Sequence, residues 1–272
     1  MDNYSSHKIV YDVCAENNID IEKFSDSYVL KLSRNERSFF IVGSQFPLNS
    51  AVASKIATDK STASEILSSA NIPTVRHKFL TSPTNPPPIK NQLYQKDHET
   101  LLKTLHENGD LVVKDNFGSN GKLVFRVRSE KDLWSALTQV FAFSRGAAIC
   151  QFEEIASEYR VVMLDNQPQL IFEKVINPKS HEWRHNLSRG AKAKIETNEQ
   201  VKAELIELAR QTMDILNLRF ASVDIITNSQ GEMKILEVNS AVSMHYFSIN
   251  GSTEYRISKQ IYLDAINKMF ML

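Results

Sequence analysis

Several features that mark large protein classes are scarce in this sequence. Only two cysteines, Cys14 and Cys150, occur among its 272 residues. They lie far apart, which fits neither a disulfide framework nor a cysteine zinc site, and each is predicted to be a buried apolar residue. Lys plus Arg and Asp plus Glu are equal at 32 each, so the basic surplus of a nucleic-acid binder is missing.

Long apolar runs are missing as well. No stretch approaches the roughly 20 apolar residues that cross a bilayer, and residues 1–8 lack the apolar core of a signal peptide. We therefore expect a protein of the reducing cytoplasm that has neither membrane nor nucleic-acid partners.

Helical and strand patterns alternate without an internal repeat. Thr58, Ser129 and Thr197 are the predicted N-caps of three helices, and the proline-rich stretch 81–88 predicts a loop. The predicted helices lie at 5–18, 59–70, 97–108, 130–143 and 198–217. Hairpin-like strands mixed with these helices favour an α+β fold over a regular βαβ array.

The most informative pattern lies near the C-terminus, where Glu237 and Asn239 stand two residues apart on a predicted strand. Because successive side chains on a strand alternate faces, these two point the same way. Asp224 lies in an apolar strand just upstream. Polar groups in buried strands are costly unless they are hydrogen-bonded or coordinated, and magnesium takes such oxygen ligands and bridges to phosphates. The pattern indicates a metal–nucleotide site, with a hydrogen-bonded strand end as the alternative.

A glycine- and serine-rich tip, residues 115–121, lies between predicted strands at 111–114 and 122–127. Glycine lets backbone N–H groups approach phosphate oxygens because it has no Cβ, and Lys114 would add a positive charge. An ordinary hairpin turn is the alternative, since Asn-Gly is a common turn pair. The spacing matches neither the Walker motif nor the dinucleotide fingerprint.

Charged residues of the middle segment offer further candidates. Glu158 and Arg160 share one face of a predicted strand, where an acid suits ribose hydroxyls and an arginine suits phosphate or carboxylate. An exposed strand face of mixed charge is the alternative. Residues 181–185 match the HExxH zinc-protease signature, but that motif requires a helix, and Pro178 and Gly190 flank it unfavourably. A zinc site is therefore disfavoured.

Arg184, Asn186 and Arg189 precede Gly190 in the same region. Two arginines and an amide suit the negative charge that develops on a transferring phosphoryl group or an acyl phosphate. We predict a catalytic role for these three residues.

Taken in order, four blocks of the sequence resemble the ATP-grasp ligases. The blocks are 59–73, 112–121, 158–161, and 223–225 followed by 236–239. Residues 184–191 are similar to the equivalent stretch of ribosomal-protein glutamate ligases. Residues 26–80 and the tail from 237 are similar to the ATP-grasp part of bifunctional glutathione synthetases and of cyanophycin synthetase. The resemblance covers roughly residues 26–268.

The resemblance implies an α+β ATP-grasp fold in which two lobes clamp ATP. It divides the chain into a reduced N-terminal region at 1–57, an N-lobe with the glycine loop at 58–150, and a C-lobe with the metal site at 151–272. The implied cofactors are ATP and two magnesium ions, with manganese as an alternative metal. Self-association is common among such ligases, although this sequence carries no separate signal for it.

The resemblance also implies roles for particular residues. The implied nucleotide-binding residues are Lys60, Lys114, Gly118, Ser119, Gly121, Gln151, Phe152, Glu153, Glu158 and Arg160. Among them, the lysines contact phosphates, residues 151–154 face the adenine and Glu158 faces the ribose. Asp224, Glu237 and Asn239 are the implied metal ligands.

The implied reaction joins a carboxylate to an amine on an amino acid or peptide. The carboxylate attacks the γ-phosphate of ATP, and the amine then displaces phosphate from the acyl phosphate, with the metal and positioning supplying the rate enhancement. A small-molecule kinase and a non-catalytic nucleotide-binding module are the alternatives. The chain departs from the family pattern at Glu153-Glu154, where an apolar pair is usual, and at Ser222, where some relatives have arginine.

Overall fold

The computed structural model describes residues 5–82, 91–179 and 181–272. Of the predicted loop at 81–88, residues 83–88 lie outside this part of the chain. Within it, the helices are α1 (Ser5–Glu16), α2 (Ala51–Thr58), α3 (Lys60–Ser69), α4 (Asn91–Asn108), α5 (Glu130–Phe141), a 3-10 turn (Leu187–Arg189), α6 (Glu199–Ile215), α7 (His245–Ser248) and α8 (Ser252–Phe270). None of these helices is long and apolar enough to cross a membrane.

The strands form three antiparallel sheets. An N-terminal sheet has the order β1-β2-β3, a four-stranded sheet the order β4-β7-β5-β6, and a five-stranded sheet the order β10-β9-β8-β11-β12. The strands are β1 (Asp20–Phe24), β2 (Val29–Arg34), β3 (Arg37–Val42), β4 (Lys78–Thr81), β5 (Leu111–Asp115), β6 (Val124–Val127), β7 (Gly146–Gln151), β8 (Ser157–Leu164), β9 (Gln167–Val175), β10 (Lys192–Ile195), β11 (Phe220–Thr227) and β12 (Met233–Asn239). The mixture of helices and antiparallel sheets confirms the α+β prediction.

Two predicted helix caps are wrong by one residue. Thr58 is the last residue of α2, a helix that was not predicted from the sequence. Asp59 caps α3 by accepting a hydrogen bond from the Thr62 N–H. Asn198, rather than Thr197, caps α6 through its side-chain oxygen. Both replacements supply an amide or carboxylate oxygen, which satisfies free N–H groups of the first helical turn. The predicted cap at Ser129 is confirmed.

The five-stranded sheet separates two apolar cores. One face, with Val161 and Val223, packs against α2, α3 and α6. The other face, with Val162 and Phe172, packs against α1, α8 and the N-terminal sheet. The four-stranded sheet has a core of its own against α4 and α5. Because side chains alternate along a strand, polar residues of the same parity as Val162 and Phe172 lie on the second face.

Candidate functional site

A cavity of about 690 Å³ lies between the four-stranded and five-stranded sheets. It is bordered by β5 and β7 on one side, by β8, β9, β11 and β12 on the other, and by the loop that joins β5 to β6. Most of the polar residues singled out from the sequence line it.

One end of the cavity is an apolar slot. Val112 and Cys150 of the four-stranded sheet face Ile226 and the half-buried Leu236 of the five-stranded sheet. Burial raises the pKa of the Cys150 thiol, so this cysteine lines the slot in its neutral form. Apolar walls from two opposed sheets suit a flat aromatic group.

The segment predicted to face adenine borders this slot, but its side chains bind other parts of the protein. The Phe152 ring lies 3.6 Å under the Arg126 guanidinium and packs edge-on against Trp183. The Glu153 carboxylate accepts a hydrogen bond of 2.8 Å from Lys234. Gln151, at the end of β7, is exposed. The Glu153–Lys234 pair accounts for a carboxylate where an apolar residue was expected.

Lys60 and Lys114 line the cavity, and both are buried. The Lys60 Nζ donates to the Gly118 carbonyl at 2.5 Å and lies 3.8 Å from the Glu237 carboxylate. Burial lowers the pKa of Lys60, the Glu237 carboxylate opposes that change, and Lys114 lowers the pKa further. Two buried lysines that repel each other favour an anion between them.

The loop after β5 is held at its base. The Asn116 side chain is fully buried, accepts from the Ser61 N–H and hydroxyl at 3.0 and 2.7 Å, and donates to Asp59 at 2.8 Å. Asn116 therefore ties the loop to the first turn of α3, which carries Lys60. The predicted loop residues Gly118 and Ser119 follow, and Ser119 is exposed.

The arginine-rich segment contacts the tip of that loop. The Gly121 carbonyl accepts hydrogen bonds from Arg184 at 3.1 Å and Arg189 at 3.2 Å. Gly121 has φ +64°, and a Cβ built on it would lie 2.4 Å from the Asn186 Oδ1. Arg184 also pairs with Glu182, and this hydrogen-bonded guanidinium lowers the pKa of the Glu182 carboxyl to about 2. Arg184, Asn186 and Arg189 thus converge on the loop.

The second face of the five-stranded sheet carries a buried network of four charges. Arg160 donates to both oxygens of Asp224, at 2.8 and 2.7 Å. Lys174 is 2 % exposed and lies 2.5 Å from Glu158 and 2.8 Å from Asp224. Burial raises the pKa of Asp224, but the adjacent Arg160 and Lys174 outweigh it and hold that pKa well below its usual range. Asp224 and Glu158 are thus both paired with cationic side chains within the protein.

Strand pairing brings the predicted metal ligands together. Asp224 lies opposite Glu237 and Ser222 opposite Asn239, and the register shifts so that Leu236 has no partner on β11. Such a bulge re-aims the neighbouring side chains. One amide atom of Asn239, Nδ2, is buried without a hydrogen-bond partner in the described part of the chain.

The zinc-like signature has a different structure from that of a metalloprotease. Residues 181–186 are irregular and lead into the 3-10 turn. The His185 ring is buried, and its Nδ1 lies 3.0 Å from the Lys174 carbonyl. The segment therefore lacks the helix that places two histidines on one face, and among the described residues no group of three or more His, Cys, Asp and Glu side chains is arranged to hold a metal.

Three residues at or beside the cavity were not predicted from the sequence. Lys174 and Phe172 are two residues apart on one strand, so their side chains lie on the same buried face. A lysine at such a position was the sequence feature that could have indicated a functional residue. Asn116 looked like an ordinary turn residue. His77 is buried beside Lys60 and Lys114 with both ring nitrogens unpartnered in the described structure. Burial first, and then the two lysines, hold the pKa of His77 well below its usual range.

Comparison with known proteins gives one family and one curated relative. A family model described as a RimK-like ATP-grasp domain matches residues 57–263. The glutathione biosynthesis bifunctional protein GshAB of Lactiplantibacillus plantarum is 25% identical over 148 residues, which cover 54% of this chain. That match spans only 18% of the relative's own length.

Solved structures share the fold at low identity. D-alanyl-alanine synthetase A from Vibrio cholerae has a TM-score of 0.65 at 16% identity, covering 98% of this chain and 94% of that one. D-alanine–D-alanine ligase from Bacillus anthracis has a TM-score of 0.59 at 18% identity, with coverages of 82% and 70%. The ATP-grasp ligase PsnB, complexed with minimal precursor, Mg and ADP, has a TM-score of 0.55 at 15% identity, with coverages of 80% and 62%.

Proposed function

The chain belongs to the RimK-like ATP-grasp family, and we propose that it uses ATP to join a carboxylate to an amine through an acyl phosphate. The substrate we propose is an amino acid or a peptide, and the products are the amide, ADP and phosphate. The family supports ATP-dependent ligation in general.

One observation carries the proposal. A single cavity is lined by the apolar slot, the buried pair Lys60 and Lys114, and the carboxylate of Glu237. Adenine, a polyphosphate chain and a divalent cation require these three environments. The 3.8 Å approach of Lys60 to Glu237 supports a phosphate-binding charge next to a metal-binding carboxylate.

Each part of the cavity has a task in the proposed reaction. Lys60 and Lys114 would bind phosphate oxygens as fixed positive charges. The loop ending at Gly121 would cover the phosphates and exclude water, and its contacts with Arg184 and Arg189 would hold it in place. From this position the two arginines would also stabilise the negative charge of an acyl phosphate. No side-chain nucleophile is needed, because the attacking group belongs to the substrate.

The residues at the metal-binding end fit a hard cation. Glu237 is half-buried and meets a positive charge only at 3.8 Å. The unpartnered end of Asn239 can present an oxygen, because the two ends of an amide have nearly the same shape. Asp224 would contribute while still paired with Arg160 and Lys174, since each carboxylate oxygen accepts more than one bond. Magnesium bound there, or manganese in its place, would neutralise phosphate charge, and we propose two ions.

The proposal also assigns residues to the ribose and the adenine and divides the chain into three regions. Glu158 faces the ribose only if Lys174 leaves one of its oxygens free. Residues 151–154 would contact adenine through their backbone, since Phe152 and Glu153 use their side chains elsewhere. We retain 1–57, 58–150 and 151–272 as the N-terminal region, N-lobe and C-lobe.

The decisive experiment measures ADP, free phosphate and product mass across a matrix of amino acids and short peptides with Mg-ATP. A ligase releases ADP and phosphate in step with a condensed product and requires both a carboxylate and an amine. ADP with a phosphorylated product and no free phosphate would identify a kinase instead. Binding of Mg-ATP without turnover on any acceptor would identify a nucleotide-binding module.

A matched pair of variants tests the phosphate site. Lys114→Met should weaken ATP binding on the order of tenfold to a hundredfold, because a hydrogen bond to a charged group is worth roughly 1.5–3 kcal/mol. Lys55→Met, at an exposed lysine of α2, is the control and should leave calorimetric ATP binding unchanged. Equal affinities in the two variants would remove Lys114 from the site.

A further inference from the structure

One part of the cavity has an uncharged wall. The lining residues contributed by segments 28–58 and 240–247 are all neutral, and the polar ones among them include Ser44, Gln45 and Ser243. The charged residues of the lining belong to segments 60–237. A free amino acid bound against this wall would bring an extra carboxylate or ammonium group to a surface that has no opposite charge. Burying an unpaired charge is costly, so the wall suits a neutral chain of amide groups.

This wall is also fixed in place. The Gln45 side chain donates to the Ser54 hydroxyl at 3.0 Å, and the Ser240 hydroxyl donates to the Ser54 carbonyl at 3.4 Å. The Tyr262 hydroxyl donates to the Val242 carbonyl at 2.9 Å. The turn after β3 and the segment after β12 are therefore joined, and they form one preformed surface.

A second observation lies outside the cavity. On the solvent face of the N-terminal sheet, Phe24 pairs with Val29, and Val29 pairs with Val42, so that these residues form a row across three strands. Phe40 packs on Phe24 with ring centroids 6.0 Å apart. Phe24 is 40 % exposed, Phe40 53 % and Val42 37 %. We name Phe24, Val29, Phe40 and Val42 the apolar row.

The apolar row is continuous with the cavity. Val42 belongs both to the row and to the cavity lining, and the lining residue Tyr28, 43 % exposed, precedes Val29 in the chain. Two strand spacings make the row about 10 Å long, which matches roughly three residues of an extended peptide. A row of four side chains is far smaller than the 20–30 residues per side of a stable dimer interface, so a second copy of this chain is a poor occupant.

We propose that the substrate is a segment of a longer peptide, which leaves the cavity over Tyr28 and Val42 and lays apolar side chains on the apolar row. This inference rests on the proposed ligase function and specifies its substrate class. The neutral wall then contacts peptide amide groups. Farther along the peptide, about three residues contact the apolar row, which includes Phe24 and Phe40.

The test uses a random octapeptide mixture and, separately, the twenty free amino acids, each with Mg-ATP and mass detection of products. We expect the peptides to be used far better, with aromatic or branched aliphatic residues enriched at the positions beyond the reacting group that would lie on the apolar row. Phe40→Ser should raise KM for a selected peptide about tenfold at unchanged kcat and should abolish the enrichment. Phe143→Ser, at a phenylalanine 83 % exposed beyond α5, is the control and should behave as the parent.

The contrary outcomes are distinct. If free amino acids react as efficiently as peptides, or if Phe40→Ser is indistinguishable from Phe143→Ser, the apolar row does not bind a peptide substrate. Either result would leave the proposed ligase function intact. Loss of self-association in Phe40→Ser, measured by light scattering, would assign the row to a second copy and would also overturn the proposal. No turnover with any acceptor despite calorimetric Mg-ATP binding would end the ligase function and this inference with it.

Discussion

Lys174 offers the sharpest test of the buried charge network. The network is balanced, with two positive charges on Arg160 and Lys174 and two negative charges on Glu158 and Asp224. Lys174→Met keeps much of the side-chain volume and removes one charge. Asp224 retains Arg160, but Glu158, 5 % exposed, loses its 2.5 Å partner and becomes a buried carboxylate without a hydrogen-bonded cation.

The expected loss is large. Removing one partner of a buried pair costs about 3–5 kcal/mol, because the remaining charge has lost its solvation. That is a large share of the roughly 5–15 kcal/mol that stabilises a typical protein. At about 2–4 °C for each kcal/mol in a chain of this size, Tm should fall by roughly 6–20 °C. Urea and thermal unfolding at pH 7 measure both quantities.

Two further variants test whether the effect of Lys174→Met comes from the unpaired buried charge. Lys174→Met combined with Glu158→Gln restores neutrality and should recover most of the lost free energy of unfolding. Lys194→Met removes a lysine that is 73 % exposed and lies 3.7 Å from Glu173, and it should cost at most about 1 kcal/mol. If Lys174→Met costs no more than Lys194→Met, or if the double variant is no more stable than Lys174→Met alone, the network does not stabilise the fold as described.

Three other predictions concern the loop, the metal-binding end and pH. Gly121→Ala should weaken ATP binding, since alanine is strained by about 1–2 kcal/mol at φ +64° and its Cβ would displace Asn186. Asn239→Ala should raise the Mg²⁺ concentration needed for half-maximal ATP binding, measured by calorimetry. Arg184 lowers the pKa of Glu182 from 4.5 to about 2, so the stability that the pair contributes is present above pH 4.5 and lost as pH falls toward 2. The Tm difference between parent and Glu182→Gln should accordingly shrink over that window.

Each of these has its own check. Gly109→Ala introduces the same kind of backbone strain at φ +79° with nothing within 4 Å of the new Cβ, so it should lose stability but keep ATP affinity. Unchanged Mg²⁺ dependence in Asn239→Ala would remove that amide from the metal site. A Tm difference that stays constant from pH 6 to pH 2 would show that Glu182 is not held ionised by Arg184.

Local sequence patterns determined much of this protein. Alternation placed Glu237 and Asn239 on one face of a strand, because strand parity depends only on the residues themselves. The glycine- and serine-rich tip between two β-prone stretches predicted the loop between β5 and β6. The order of the four blocks indicated the family, since residues far apart in sequence recur together only when one site requires them. Two helix starts were predicted one residue early, because Thr58 and Asp59, like Thr197 and Asn198, are neighbouring residues that can each cap a helix.

Long-range pairing was decided only by the tertiary structure. Lys174 reaches Asp224 because β9 and β11 both flank β8, and no local pattern encodes that adjacency. The bulge at Leu236 and the continuity of Val42 with the cavity likewise depend on strand register, which is set by cooperative packing across the sheet. The sequence by itself determined which chemical groups are available and on which strand face several of them lie. Folding decided their partners, because burial removes water and leaves each charge dependent on what the neighbouring strand presents.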